Sequence, residues 1–414
     1  MNIAIIGGGF TGLTAAYELL KHGHEVTLFE KELYLGGLAH GFKQKNWNWH
    51  LEGAYHHLFT NDHAIINLIK ELGLEGKLII KRPITASYIN GHIYELDSPM
   101  NLLTFPLLSP VDKMRTAGLL AFLKLNPFWQ PLENITAEHF FQTIGGEQAW
   151  NILWEPLMQG KFGALSETVA ASWLWARIKK RTPSLCYIEG GFQTVVTALG
   201  KAIKKNHGEI LINTSVKSLP VNKFDKFLLT IPTPIAMRLV NLPTSYTKPL
   251  LEIPHLHAQT LILETKKPIL KDTYWLNMND RSFPFLAVVA HTNFMDKKHY
   301  AGHHLTYFGN YLPPGHPYLS MNKNQLLKVF LPFIQHLNPS FHLSDLYICH
   351  LFIGYFAQPV HQLHYSKRAP TIKTPISNVY VANLDSIYPW DRGTNYAVEL
   401  GQKAAKKILS SKGS

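Results

Sequence analysis

Residues 1–37 constrain this chain more than any other stretch. They read M-N-I-A-I-I-G-G-G-F-T-G-L-T-A-A-Y-E-L-L-K-H-G-H-E-V-T-L-F-E-K-E-L-Y-L-G-G. The apolar run Asn2–Ile6 suits a buried parallel strand. Gly7, Gly9 and Gly12 follow in G-x-G-x-x-G spacing, Leu13–His22 carries apolar residues at helical spacing, and Gly23 closes that helix. Glu25–Phe29 is a second apolar strand, ending on Glu30. Gly7 permits the tight turn, Gly9 lets backbone approach a pyrophosphate, and Gly12 lets helix and strand pack. The helix start offers free N–H groups and the positive end of a dipole to phosphates. Glu30 comes 18 residues after Gly12, close to the roughly 20 expected of an acid that holds a ribose 2′-hydroxyl. A carboxylate there repels a 2′-phosphate, which disfavours NADP. The unit predicts dinucleotide binding; the bland alternative is a βαβ unit whose glycines serve packing alone.

Composition narrows the remaining classes. The 414 residues suffice for two or three structural units, and 46% hydrophobic with 16% charged residues is a globular balance. Two cysteines, Cys186 and Cys349, give no disulfide framework and suit a reducing compartment. The first strand starts at Asn2, leaving no room for a signal peptide, and no apolar run approaches the ~20 residues of a spanning helix. These features predict a cytoplasmic protein. The net charge of +12 fits an anionic ligand or an anionic membrane surface. No dense Lys/Arg block or nucleic-acid motif accompanies it, so nucleic acid is not an expected partner. His361 and His364, His255 and His257, and His303-His304 have spacings that invite a metal, but no carboxylate or cysteine set joins them, and no metal is expected.

Further motifs carry a family resemblance. Lys31 is followed by a second glycine pair, Gly36-Gly37, and then Leu38. His50–Asp62 reads H-L-E-G-A-Y-H-H-L-F-T-N-D, Trp154–Gly163 reads W-E-P-L-M-Q-G-K-F-G, and Tyr187–Leu199 reads Y-I-E-G-G-F-Q-T-V-V-T-A-L. The C-terminal part has the strand N-V-Y-V-A-N, the loop S-I-Y-P-W-D-R-G-T-N-Y and a helix A-V-E-L-G-Q-K-A-A-K-K-I-L. Together with the N-terminal unit, these segments resemble the FAD-dependent amine oxidase superfamily, which includes protoporphyrinogen oxidases, phytoene desaturases and, more distantly, UDP-galactopyranose mutases.

The resemblance implies an α/β fold: a discontinuous Rossmann-like FAD-binding domain with an inserted α+β substrate domain. It places FAD-binding segments at 1–76, 184–240 and 366–414. Between them it places a hairpin and helical cap at 77–183, and a sheet and helix at 241–365. Local signals agree with this order. Asn90-Gly91 is a hairpin turn in the alternating stretch Lys77–Leu96, Pro99–Trp175 reads as helical with proline breaks, and Asn324–Leu337 is an amphipathic helix. His63–Leu72 reads as a helix, Glu209–Val216, His257–Glu264, Phe285–His291 and Leu305–Asn310 as strands.

Site residues follow from the same alignment. Phe10, Thr11, Lys31, Gly36, Gly37 and Leu38 would join Gly7, Gly9, Gly12 and Glu30 around the nucleotide. Gly53, Ala54 and Tyr55 would approach the flavin, with His56 and His57 as candidate proton carriers. Val216 would offer backbone to adenine. Gly393, Thr394 and Asn395, preceded by Arg392, would open a helix toward the flavin and stabilise developing charge. In place of the usual A-G-D or A-G-E stands Asn383-Leu384, and either Asp385 or Asp391 would hold ribityl or phosphate.

The expected function is an FAD-dependent oxidoreductase that passes a hydride from an apolar small molecule to flavin N5, with oxygen or a quinone as oxidant. Two alternatives stay open. One is a non-redox sugar-nucleotide mutase, for which Arg177, Arg181, Arg238 and Arg281 are available; the other is a protein that holds FAD without turnover. The apolar stretch Leu102–Leu132, with Phe105, Leu107, Leu108, Leu119, Leu120, Phe122, Phe128 and Trp129, predicts either a cap core or reversible contact with an anionic membrane. Nothing in the sequence bears on oligomeric state.

Overall fold

The computed structural model describes residues 1–411; the last three residues expected in the third FAD-binding segment, 412–414, lie outside them. Strand β1 (Asn2–Ile6), helix α1 (Phe10–Lys21) and strand β2 (Glu25–Phe29) form where the glycine spacing puts them. β1 and β2 run parallel in a five-stranded sheet with the order Glu209–Leu211, β2, β1, Lys226–Leu229, Val379–Val381. Every pairing in it is parallel. Such a sheet is covered on both faces, which is why β1 reads as a continuous apolar run rather than an alternating one. Ile3, Ala4 and Ile5 are fully buried.

Helix α1 lies on this sheet, and the C-terminal helix Thr394–Ser410 lies across α1. Their contact is close because it runs through a glycine: a Cβ on Gly401 would stand 2.6 Å from the Thr11 carbonyl oxygen.

A seven-stranded sheet forms the second layer. Its order is Leu346–Pro359, His255–Thr265, His304–Leu312, Ala287–Ala290, Thr273–Met278, Ile84–Ile89, His92–Glu95. All its pairings are antiparallel except that of Thr273–Met278 with Ile84–Ile89, which joins chain from residues 84–95 to chain from residues 255–359. The hairpin turn is at Asn90-Gly91, with φ of 50° and 83°, the left-handed pair that a two-residue turn with right-twisting strands requires. Helix Lys323–Leu337 covers one face with Leu326, Phe330 and Ile334, and a capping box from Asn322 and Gln325 starts it.

Five helices, Pro99–Thr104, Pro110–Leu125, Ala137–Gly145, Glu155–Phe162 and Ala171–Lys180, make a cap over the sheet's end. Ser98, Ser109 and Thr136 cap the first three through their hydroxyls. Leu119, Leu123, Phe141, Trp150, Trp173 and Trp175 form the cap's core. Of the apolar residues in Leu102–Leu132, expected either in a cap core or at a membrane surface, Phe105, Leu108 and Leu119 are buried, while Phe122 and Phe128 are exposed.

Two expected strands are shorter. Glu209–Val216 stops at Leu211, because Asn213 turns to φ 52° and the N–H groups of Asn213 and Thr214 donate to the carbonyls of Glu32 and Glu30. Phe285–His291 contracts to Ala287–Ala290. The 14-residue strand Leu346–Pro359 was not expected; it is a sheet edge, its burial does not alternate, and Phe356 at φ 55° bends it.

Candidate active site

The glycine-rich turn opens at the C-terminal end of β1. Gly7 has φ 114°, a conformation that favours glycine, and a Cβ there would meet the Thr230 hydroxyl at 2.7 Å. A Cβ on Gly12 would stand 2.0 Å from the Gly7 carbonyl, so this glycine serves helix–strand packing. Gly9 is different. Its φ is −76°, and the nearest atom to a Cβ there is the Gly37 Cα at 3.9 Å. Neither backbone nor packing demands glycine at that point; the space in front of the turn is simply clear. No side chain caps α1 among the described residues, so its first N–H groups face that space unpaired.

Glu30, at the end of β2, is buried beside the turn. Its Oε2 accepts from the Gly8 N–H at 2.7 Å and its Oε1 from the Glu32 N–H at 2.9 Å. The second glycine pair crosses here: the Gly36 N–H donates to the Gly8 carbonyl at 2.9 Å. Lys31 points into solvent and pairs with Glu32 at 3.1 Å. Leu38 is exposed, with its side chain over Gly354. Phe10 and Thr11 are buried in α1, and Val216 is half-buried in the loop that follows Leu211, outside any strand.

The C-terminal segment reaches the same crevice. Asp385 follows the last parallel strand, is buried, and receives the His255 ring Nε2 on Oδ1 at 2.8 Å, while its Oδ2 has no partner among the described residues. The helix Thr394–Ser410 begins after Gly393 without a side-chain cap. The Asn395 side chain is spent elsewhere: its Oδ1 accepts from the N–H groups of Ala64 and Ile65 at 2.9 and 3.2 Å and so caps helix His63–Glu71. The backbone at the start of this helix, the feature expected to face the flavin, is not used by that contact.

Gly53 packs against an aromatic ring. A Cβ there would lie 2.8 Å from the Phe352 ring, so this glycine admits a neighbouring aromatic side chain. Tyr55 lies edge-on to Trp275 and against Gly309, where a Cβ would be 2.6 Å from its ring. The His56 Nδ1–H donates to the Ala54 carbonyl at 2.6 Å; a carbonyl only accepts, so Nδ1 holds the proton and Nε2 keeps its lone pair. His57 Nδ1 is 3.2 Å from the Tyr274 hydroxyl. Both rings keep some contact with the cleft but are packed deep within it, and burial pushes His56 down to about 4 and His57 to about 3. They are neutral at physiological pH.

Glu52, which precedes this loop, was not singled out by the sequence. It is buried, accepts from the Tyr187 hydroxyl and the Phe192 N–H at 2.7 Å each, and burial raises it to about 7. The loop is thus anchored from below by a carboxyl without a counter-charge.

The cap closes on this loop with a basic, aromatic cluster. Lys161, from W-E-P-L-M-Q-G-K-F-G, lies among Phe162, Trp173 and Tyr311. Asp391 accepts from Arg177 at 2.7 Å, from the Trp173 indole at 3.2 Å and from Gln358 at 3.3 Å, and Lys161 stands 3.9 Å away. These cations hold Asp391 well below the usual carboxylate range despite burial. The Arg392 Nε–H donates to the Gln358 side-chain Oε1 at 2.9 Å, and the guanidinium lies over Tyr311. Of the four arginines available for a clamp, Arg177 alone joins this cluster; Arg238 is exposed and Arg281 pairs with Glu155. Among the described residues no group of three or more His, Cys, Asp or Glu could hold a metal. A separate groove of about 490 Å³ lies on the outer side of the C-terminal helix, between Ile372, Trp390, Tyr396 and Lys403.

The sequence pattern of the flavin-containing amine oxidoreductases matches residues 10–409. The chain belongs to that family. The family is described as flavin-containing oxidoreductases. Zeta-carotene desaturase of Capsicum annuum is 35% identical over 128 residues, 30% of this chain and 20% of that protein; the chain thus matches only about a fifth of that relative's length. Two solved structures share the fold. A putative protoporphyrinogen oxidase from Exiguobacterium sp. 255-15 has a TM-score of 0.77 at 16% identity over 99% of both chains. A reduced UDP-galactopyranose mutase has 0.77 at 15% identity, over 100% of this chain and 96% of the other. The residues present fit FAD: clear space before Gly9, two uncapped helix starts, and an unpartnered carboxylate oxygen on Asp385 at the strand ends, where open α/β sheets hold dinucleotides.

Proposed function

We propose that this family member binds FAD along the ends of the parallel sheet and oxidises a small molecule held between the cap and the seven-stranded sheet. The observation that carries the reading is the clear space at Gly9, where glycine has no role in the protein's own packing. In this reading Gly7, Gly9 and the start of α1 cradle the pyrophosphate, Glu30 holds ribose hydroxyls, and Gly36, Gly37 and Leu38 lend backbone. Val216 lends backbone to adenine. Asp385, through its free Oδ2, binds ribityl or phosphate oxygens, while Asp391 is committed to the cap. The start of the Gly393–Thr394 helix favours negative charge at the ring. FAD, when bound, supplies the hydride acceptor, with oxygen or a quinone as final oxidant.

The chain's own residues do the rest. Tyr55 and Trp275 offer an apolar wall to the substrate, and the cap excludes water. His56, held neutral with a free Nε2, accepts a proton from the substrate side of the cleft. A second reading, a non-redox sugar-nucleotide mutase, is favoured by one observation: Arg177, Arg392 and Lys161 gather in one place. Anaerobic incubation with a metabolite panel, following flavin absorbance and products together, separates them. Bleaching of the flavin with net substrate oxidation supports the first reading, isomerisation by pre-reduced enzyme supports the second, and binding without turnover leaves an FAD carrier.

The cap's outer face supports reversible membrane contact. Val111, Met114, Phe122 and Leu125 are exposed at helical spacing on Pro110–Leu125, with Met100, Leu103 and Phe128 beside them. Among the described residues no helix is long and apolar enough to cross a membrane.

A further inference from the structure

The aromatic walls beneath the cap are already covered by the protein's own cations. The Lys161 ammonium stands 4.7 Å from the centre of the Trp173 ring and 4.8 Å from that of Tyr311. Arg392 lies over Tyr311 at 4.7 Å, and Arg177 over Trp173 at 4.9 Å. Among the described residues one carboxylate pairs with this group, that of Asp391, and Arg177 takes it at 2.7 Å. Lys161 is too far from it for a hydrogen bond, at 3.9 Å, and Arg392 binds a neutral amide, Gln358.

Lys161 is the informative residue. Its side chain is only 8% exposed, and its ammonium has no hydrogen-bond acceptor among the described residues. Burying a cation this way is costly unless something pairs with it, and ring contacts offset part of the cost only. Burial pushes its pKa well down, with Asp391 opposing. Arg177 sits at the rim, 44% exposed on its side chain, so the cluster is open to ligand from that side. The charges of Arg392 and Arg177 also act on Tyr55, which places the cluster beside the loop that carries His56 and His57.

We propose that Lys161, Arg177 and Arg392 form a subsite for an acidic group, carboxylate or phosphate, on the substrate, and that the same residues exclude amines. The inference rests on the reading above that the cap covers the substrate. An acidic group supplies the acceptors that Lys161 and Arg392 lack. An ammonium would meet like charge and would find Trp173 and Tyr311 already occupied. Aromatic rings that elsewhere attract a substrate cation here hold the protein's own cations in place for an anion.

The test is equilibrium binding to the flavin-loaded protein by calorimetry, with pyrophosphate, benzoate and benzylamine as probes at constant ionic strength. Flavin content and melting temperature are recorded on each sample. One or both anions should bind and benzylamine should not; which anion binds tells phosphate from carboxylate chemistry. Lys161→Met and Arg177→Met should each weaken the anion by about tenfold or more, the worth of one lost charge-assisted hydrogen bond. Lys161→Met should melt no lower than wild type, because it removes a buried cation in favour of an apolar chain of similar length. Benzylamine binding as well as the anions, or anion affinity unchanged in both variants, would overturn the proposal, as would a Lys161→Met protein that unfolds early but binds anions normally. Loss of flavin from the wild type itself counts against the cofactor reading instead, and is seen separately by absorbance.

Discussion

Asp391 accepts a hydrogen bond from Arg177 at 2.7 Å and so ties the loop before the C-terminal helix to the cap. Removing this carboxylate leaves Arg177 and Lys161 without an acid. Asp391→Ala should cost ~1–3 kcal/mol of stability, because the carboxylate is buried but its partner Arg177 is 44% exposed and solvent screens the pair. Chemical denaturation measures it. The pH dependence has a definite sign: the folded carboxyl is depressed, so its stabilisation is complete above the ordinary carboxylate value of ~3.9 and fades as pH falls through the lower folded value. The variant should therefore lose less stability on acidification than the wild type; parallel profiles would show that the pair contributes nothing.

Gly9→Val should separate folding from cofactor binding. The side chain enters clear space, so the apoprotein should melt within a few degrees of wild type, yet flavin absorbance should be absent. Glu30→Ala should retain the fold less well, because two backbone N–H groups lose their acceptor, and should weaken FAD by ~1.5–3 kcal/mol, or about ten- to a hundredfold or more. Full flavin occupancy in both proteins is the contrary result.

His56→Ala should slow flavin reduction by ~10²–10⁴-fold while leaving the flavin bound, if its Nε2 takes the substrate proton. With the ring neutral down to about 4, the wild-type rate should show no histidine titration between pH 5.5 and 8. Stopped-flow reduction across that range decides it. His57→Ala, whose ring is held by Tyr274, is the companion variant. Wild-type rates in both would leave them as cleft-lining side chains only.

Val111→Glu combined with Leu125→Glu should abolish attachment to anionic liposomes at low salt. The two side chains are 66% and 78% exposed, so the fold should not change. Each buried apolar side chain contributes ~1.5–3 kcal/mol to such contact, and basic residues nearby add ~1 kcal/mol each, which salt screens. Co-sedimentation of the wild type at background level would remove the membrane reading altogether.

The N-terminal unit is readable from sequence because each of its signals is local: strand, glycine spacing, helix and acid fall within thirty residues, and the turn at Asn90-Gly91 is equally self-contained. The C-terminal helix is readable for the same reason. Glu52 is not, because its burial is created by Tyr187 and Phe192, 135 and 140 positions away. The packing of Phe352 against Gly53 and the cap that Asn395 places on helix His63–Glu71 are equally invisible, because each partner lies far away in the chain. Asp385 and Asp391 cannot be told apart by spacing, and only the partners of each distinguish them. Lys161 stands out little in a run that also holds Glu155 and Gln159, and two of its ring partners, Trp173 and Tyr311, come from other elements.

The position of Val379–Val381 has a consequence for biosynthesis. It flanks Lys226–Leu229, which in turn flanks β1. A growing chain therefore presents its first strands long before the final one is translated, and Lys226–Leu229 keeps one edge unsatisfied throughout that interval. Open edges of apolar parallel strands invite pairing with other chains. The nascent protein should accordingly depend on shielding by chaperones until residue 381 has emerged, and release of chains stopped between 230 and 378 should yield insoluble product.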